Sequence, residues 1–406
     1  SIKEGVFLIA QHYKDMLSAK SVIRQISEWS TARGQEIGYE NVFDYSLGNP
    51  SVPCPDRFTD TCRRLLADTD PVTLHGYTPT LTLPDVRAAV AQSLNRRFGM
   101  DYTAAHIFMT SGAAGALAHA LRCVGVPGQN VVTFAPFFPE YKPYVEGAGL
   151  TLRIAPPRCA DFQINFDALD TLLDENTAAV LINSPNNPSG TAYSAATLTR
   201  LTDVLRAASQ KFGHHIFLIS DEPYREIAFG GAEIPYPAKF YDDTLTCYSF
   251  SKSLSIPGER MGYVAANPRC EDADSIVPMC GQISRGIGHN CPASLIQMAV
   301  KDCLDVTGDL RVYETNMQLI YDELLSLGFT VVKPDGTFYI FPKAPEPDAN
   351  AFCRKAQKYD LALVPGDSFG CPGYFRMAYC IPTEKVRRSF AALEALMAQE
   401  YGVTKQ

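Results

Sequence analysis

The sequence predicts an α/β protein: a mainly parallel sheet buried under helices, with a smaller α+β domain attached. Three observations carry this. Short, unbroken apolar runs recur along the middle of the chain, each ends in a cluster of polar and turn-forming residues, and helix-period segments separate several of them. Continuous apolar runs of that length suit strands covered on both faces, and strands that alternate with helices point to parallel crossovers.

In chain order, the run 131–134 leads into Ala135-Pro136-Phe137-Phe138. The run 178–182 leads into Asn183-Ser184-Pro185-Asn186-Asn187-Pro188-Ser189-Gly190. The run 216–219 leads into Ser220-Asp221-Glu222-Pro223-Tyr224, and 245–248 leads into Ser249-Phe250-Ser251-Lys252, with 261–265 close behind. Between them, Leu198, Leu201, Val204 and Leu205 recur at helical spacing over 195–212. Open parallel sheets bind ligands beyond the carboxyl ends of their strands. The polar clusters are therefore expected to meet in one site.

The last third reads differently. Residues 312–327 look helical, 331–332 and 338–341 look like strands around a turn containing Gly336, 375–378 is a further strand, and 384–399 a final helix. The expected division is an N-terminal arm, 1–50, that joins the small domain; a large domain, 51–300; and a small C-terminal domain, 301–406.

Composition narrows the function classes. The chain has 406 residues, of which 46% are apolar and 20% charged, with a formal net charge of -8. It carries no run of Lys and Arg, which sets nucleic acid aside as a partner. The apolar stretch 6–10 is too short for a secretory core, and nothing approaches the roughly 20 apolar residues of a membrane span. The twelve cysteines include no Cys-x-x-Cys, and the seven histidines do not flank them at ligand spacing. Free thiols in a reducing cytoplasm, and no metal site, are the expectation.

The chemistry lies in the clusters. A lone lysine after a strand is ordinarily a solvated charge, but Lys252 has Ser249 three residues before it and Arg260 eight residues after it. An amine, a hydroxyl and a guanidinium at one sheet edge suit a phosphorylated aldehyde: the amine forms the imine, and the other two grip the phosphate. Asp221 could be a helix cap, or a buried carboxylate facing a cationic heterocycle, with the Tyr224 phenol near that ring's hydroxyl. Thr110-Ser111-Gly112-Ala113-Ala114-Gly115 opens a helical pattern whose small residues leave backbone N–H groups open to an anion. It lacks the dinucleotide and nucleoside-triphosphate fingerprints.

Together, these motifs resemble the fold-type I enzymes that use pyridoxal 5′-phosphate (PLP), and specifically the class I/II aminotransferases, which include aspartate and alanine aminotransferases. Ser249-Phe250-Ser251-Lys252 with Arg260, in order with Asn187-Pro188-Ser189-Gly190 and Asp221-Glu222-Pro223-Tyr224, carries the resemblance, which runs from about residue 45 to residue 390. It implies that Lys252 holds PLP as a Schiff base and then shuttles the substrate proton. Asp221 then pairs with the pyridine nitrogen, and Tyr224 and Asn187 bond the ring hydroxyl. Ser249, Arg260 and the backbone of Ala113 and Ala114 hold the phosphate, and Phe138 stacks on the ring. Tyr77, in His75-Gly76-Tyr77-Thr78-Pro79, reaches the phosphate of a neighbouring subunit, so the resemblance implies a homodimer with shared active sites. Gly48 lines the substrate entrance, and Arg376 grips the α-carboxylate.

The resemblance leaves Arg285 open. It stands one residue out of register with an arginine that reads a distal carboxylate in dicarboxylate-specific relatives, and the competing reading is a surface arginine in a glycine-rich loop. Three positions depart from the family: Thr82 stands where Gly is common, and Ala113 and Ala114 stand where a hydroxyl side chain is frequent. The implied reaction moves an amino group from an L-amino acid to a 2-oxo acid. Carbon–sulfur β-lyases and aminocyclopropane-carboxylate synthases share the same residues. A PLP-sensing regulator would need a DNA-binding module, and the 45 or so residues before the first motif show no such pattern.

Overall fold

A computed structural model describes residues 10–18 and 21–405. Most of the apolar stretch 6–10 and the start of the expected N-terminal arm lie outside the described residues. The strands, in order, are β1 (Phe43–Asp44), β2 (Ile107–Thr110), β3 (Asn130–Phe134), β4 (Thr151–Ala155), β5 (Thr177–Asn183) and β6 (Phe217–Asp221). They continue with β7 (Thr244–Ser249), β8 (Gly262–Ala266), β9 (Tyr339–Ile340), β10 (Leu361–Ala362), β11 (Val364–Pro365) and β12 (Phe375–Ala378).

Seven strands form the central sheet in the order β2-β8-β7-β6-β5-β3-β4. β3 to β7 pair in parallel, while β8 runs against both β7 and β2. The apolar runs are continuous because both faces are covered. Along β5, Ala179 and Leu181 pack with Leu117, Leu121 and Leu245 on one face, whereas Val180 and Ile182 pack with Leu198, Leu201 and Leu205 on the other. A strand sends alternate side chains to opposite faces, so a doubly covered strand is largely apolar on both, and a buried hydroxyl such as that of Thr133 is tolerated because it donates to the Leu181 carbonyl. Leu198, Leu201 and Leu205 belong to the helix Ala195–Phe212, which Ser194 caps by accepting the Thr197 N–H and Gly213 ends in the left-handed region. Sequence reading overlooked β4, an edge strand of which only Ala155 is buried, and β2, whose apolar run is short and leads almost directly into a helix.

In the C-terminal part, β11-β12-β9 make an antiparallel sheet, and β1 pairs in parallel with β10. Phe43, Tyr45 and Val52 share a core with Tyr313, Phe338, Phe352, Phe375 and Leu393. The helix Val22–Ile37 lays Ile26 against Phe162, Phe341 and Val364. One expectation fails here: residues 331–332 are not a strand. Val331 and Val332 are tucked against two different apolar clusters, and the segment's tie to its neighbour is the Lys343 N–H donated to the Thr330 carbonyl, so no ladder forms. All twelve cysteines are free, seven of them buried. No helix among the described residues is long and apolar enough to cross a membrane.

Candidate active site

The carboxyl ends of three adjacent parallel strands build one wall of a cavity of about 580 Å³. Asn183 ends β5, Asp221 ends β6 and Ser249 ends β7. Asn183 and Asp221 stand side by side in the ladder, and Asn183 Nδ2 donates to the Asp221 carbonyl at 3.0 Å. Asn183 Oδ1 accepts the Asn187 N–H at 2.7 Å, which folds the loop after β5 back over the sheet edge. The parallel register thus brings together residues far apart in sequence. Gly48, Ala113, Ala114, Phe138, Asn187, Asp221, Tyr224, Ser249, Lys252, Arg260 and Arg376 all line this cavity.

At the cavity's centre, Lys252 Nζ donates to the Gly48 carbonyl at 2.8 Å and lies 5.4 Å from the centroid of the Phe338 ring. Desolvation of its amine, reinforced by the nearby Arg260 and Arg376 charges, brings its pKa down to about 8. Asp221 is buried, and Oδ2 accepts the Tyr141 hydroxyl at 2.6 Å. Burial, with some help from the Glu222 charge, pushes its pKa up to about 7, against the pull of the Tyr141 bond. Oδ1 of Asp221 has no hydrogen-bond partner among the described residues. Arg376 donates from Nη1 to Asn187 Oδ1 at 3.0 Å and from Nη2 to the Ser46 carbonyl at 2.6 Å, and its buried Nε also lacks a partner. Two residues that line one cavity thus each keep a buried polar atom unmatched, which costs stability.

The opposite end is built for an anion. Ala113 and Ala114 start the helix Gly112–Val124, whose first N–H groups have no partner within the helix. Gly112 sits at φ +70°, and a Cβ there would stand 3.0 Å from Arg260 Nη2. Arg260 itself holds the left-handed region at φ 52°, unusual for a residue with a side chain, while Nη1 donates to the Pro257 carbonyl at 2.9 Å. Ser249 Oγ donates to Ser251 Oγ at 2.7 Å, which adds a second hydroxyl to this end.

Two expected residues stand elsewhere. Tyr77 is fully exposed and does not line the cavity of its own chain. Arg285 is not in a glycine-rich loop; it is in the last turn of the helix Ala273–Ile287, exposed, and donates to Gln282. The misreading has a local cause: Pro278, Gly281 and Gly286 lie inside that helix, and Gly288, in the left-handed region, ends it. Thr82, at the position where relatives commonly carry Gly, is fully buried at φ 72°, which explains why a residue without a Cβ suits it.

Sequence reading missed Tyr141, which stands behind Asp221 and bonds it, and the lining residues Ser251, Tyr339, Ser21, Ile23, Arg24 and Ser27. Tyr141 had a faint signal, standing three residues after Phe138 in the same polar cluster. Ser251 lies within the Ser249-Phe250-Ser251-Lys252 motif and was overlooked there; the others had no signal, because long-range packing brings them to the cavity.

The family model described as aminotransferase class I and II matches residues 41–393. A probable aspartate/prephenate aminotransferase of Aquifex aeolicus is 28% identical, covering 90% of this chain and 95% of its own length. The aspartate aminotransferase of Geobacillus stearothermophilus is 29% identical, with 88% and 91% covered. Among solved structures, an amino transferase from Eubacterium rectale superposes with a TM-score of 0.95 at 42% identity, covering 98% of this chain and all of that one. Thermotoga maritima aspartate aminotransferase superposes at 0.84 with 25% identity, over 94% and 98% of the two chains.

Proposed function

Because the chain belongs to the class I and II aminotransferases, has the type I fold of that family and is an enzyme of the transaminase type, we propose that it carries PLP on Lys252 and works by a ping-pong exchange between an L-amino acid and a 2-oxo acid. The observation that carries this reading is the convergence of Lys252, the buried carboxylate of Asp221 and the buried guanidinium of Arg376 on one cavity. An acceptor facing a protonated ring nitrogen and a donor facing a carboxylate are what PLP and an amino acid need.

Bound PLP supplies an electron sink for the α-carbon of an amino acid. The chain's own residues do the rest. Asp221 keeps its charge against the ring nitrogen, and Tyr141, donating to Oδ2, holds that carboxylate in place. Tyr224 meets the ring oxygen. Ala113, Ala114, Ser249, Ser251 and Arg260 form the phosphate end, where two hydroxyls supplement the backbone groups. Phe138 covers one face of the ring, and Gly48 leaves the entrance open. Arg376 clamps the substrate carboxylate and thereby fixes which α-bond faces the lysine. Freed Lys252, its pKa brought near 8, takes the α-proton on Nζ and returns it. The same reading divides the chain at about 50 and 300, places it in the cytoplasm, supported by its free thiols, and makes it a homodimer in which exposed Tyr77 serves the partner's phosphate end.

The test is a panel of L-amino acids added to the PLP-loaded protein while absorbance is followed. Conversion to the pyridoxamine phosphate form, reversed by a 2-oxo acid, is the expected result. Steady release of pyruvate and ammonia from cysteine conjugates, with no acceptor present, would identify a β-lyase instead.

A further inference from the structure

We propose that Tyr339 is a positioning residue that ties the cofactor-facing phenol of Tyr224 to the carboxylate-gripping Arg376, so that the two ends of the substrate site are set by one side chain. This deepens the reading above and rests on its placement of Tyr224 at the ring oxygen.

Tyr339 opens β9, and its register opposite Ala378 of β12 places it one strand away from Arg376. It is buried and lines the cavity. Its hydroxyl stands 3.2 Å from the Tyr224 hydroxyl, with the two rings nearly perpendicular at 5.7 Å between centroids. Its ring lies under the Arg376 guanidinium at 4.5 Å. Its position also sets what Gly48 can be: a Cβ at Gly48 would fall 1.8 Å from the Tyr339 hydroxyl oxygen. The entrance backbone can therefore approach Lys252 only because residue 48 has no side chain.

The direction of the hydrogen bond follows from the chemistry. Burial holds the Tyr224 phenol protonated. Once that O–H is committed to the ring oxygen, the Tyr224 oxygen can only accept, so Tyr339 donates. A hydrogen bond donated into a phenol oxygen polarises its O–H and makes it a better donor. Tyr339 therefore strengthens the Tyr224 contact to an anionic ring oxygen, and its ring faces the Arg376 cation independently of that hydroxyl.

The measurement is the pH midpoint at which the absorbance of the PLP-loaded protein changes, together with KM for an amino acid. Tyr224→Phe should raise the midpoint by about one to two units, the worth of one hydrogen bond to a charged oxygen. Tyr339→Phe, which keeps the ring, should raise it by about 0.2 to 0.6 unit and leave KM within about twofold. The double variant should match Tyr224→Phe alone. Tyr339→Leu, which loses the ring as well, should raise KM roughly tenfold. An unmoved midpoint in Tyr339→Phe beside a shifted Tyr224→Phe, or additive shifts in the double variant, would overturn the role of Tyr339. An unmoved midpoint in Tyr224→Phe would overturn the placement of Tyr224, and this inference with it.

Discussion

The sheet-edge wall of the cavity and its mouth are built from different material. At the wall, Asp221, Asn187, Ser249 and Arg376 are each no more than 4% exposed, and the first three sit at or just beyond the ends of adjacent parallel strands. At the mouth, Arg24 and Glu140 are exposed, and Arg24 pairs only loosely with Glu28, 3.4 Å away on the same helix. Burial moves the acid–base behaviour of the wall: Lys252 comes down to about 8 and Asp221 goes up to about 7. A solvated group such as Arg24 keeps water as its partner, so a substrate atom gains little by replacing it. The wall is where chemistry is set, and the mouth can only adjust which side chain enters.

The largest effect should come from the wall. Lys252→Ala removes the proposed covalent anchor and proton carrier together, and turnover should fall on the order of 10⁴-fold or more. PLP should still bind through its phosphate and ring contacts, visible in equilibrium dialysis. Wild-type turnover in this variant would end the proposed assignment of the lysine.

Asp221→Asn should lower kcat/KM by on the order of 10²–10³-fold, as expected when one fixed charge facing the reacting system is neutralised. The same change tests burial in the cofactor-free protein. The folded carboxyl has its pKa raised to about 7 from an ordinary 3.8, so folding takes up a proton between those pH values and loses stability as pH rises through them. At pH 8 the cofactor-free Asn variant should therefore melt above the cofactor-free wild type, with the gap closing below about pH 4. Equal melting temperatures at pH 8 would mean that the carboxylate is not desolvated.

A smaller effect is expected from pH alone. With its pKa near 8, the Lys252 amine is about 10% neutral at pH 7, against roughly 0.03% for an ordinary lysine. The rate at which the cofactor-free protein captures PLP should rise about tenfold between pH 7 and 9 and then level off. A rate still climbing steeply at pH 10 would show an ordinary, solvated amine.

The mouth should give the smallest changes. Arg24→Ala should lower kcat/KM for aspartate or glutamate about two- to fivefold and spare alanine, the scale of an exposed ion pair. Arg285→Ala should leave all substrates within about twofold, because Arg285 faces solvent and Gln282. A ten- to hundredfold loss confined to dicarboxylic amino acids would instead put Arg285 in a neighbouring subunit's cavity.

The chain's own order of residues determined the sheet and most of the wall. β5 and β6 carry continuous apolar runs and β3 and β7 runs interrupted only by Thr133 and Thr246, because both faces are covered, and each run ends in the residues that its strand then delivers to the cavity. Lys252, Asp221 and Ser249 were legible for that reason: a strand end fixes where the next few residues point, and their chemistry is local to the motif; Asn187, in a segment that by itself reads as a turn-rich loop, was legible only by likeness. Arg376 was legible only by likeness, and a strand was wrongly expected at 331–332, where local apolarity was not matched by a partner strand. Tertiary structure decided the rest. Tyr141 reaches Asp221 from 80 positions away, and Tyr339 reaches Tyr224 from 115. The helix Val22–Ile37 joins the mouth because Ile26 is buried against Phe341 and Val364. A tyrosine in an apolar run looks the same whether its hydroxyl meets water, a backbone carbonyl or another tyrosine. Only the packing of separate elements selects the partner, and no spacing within one segment records it.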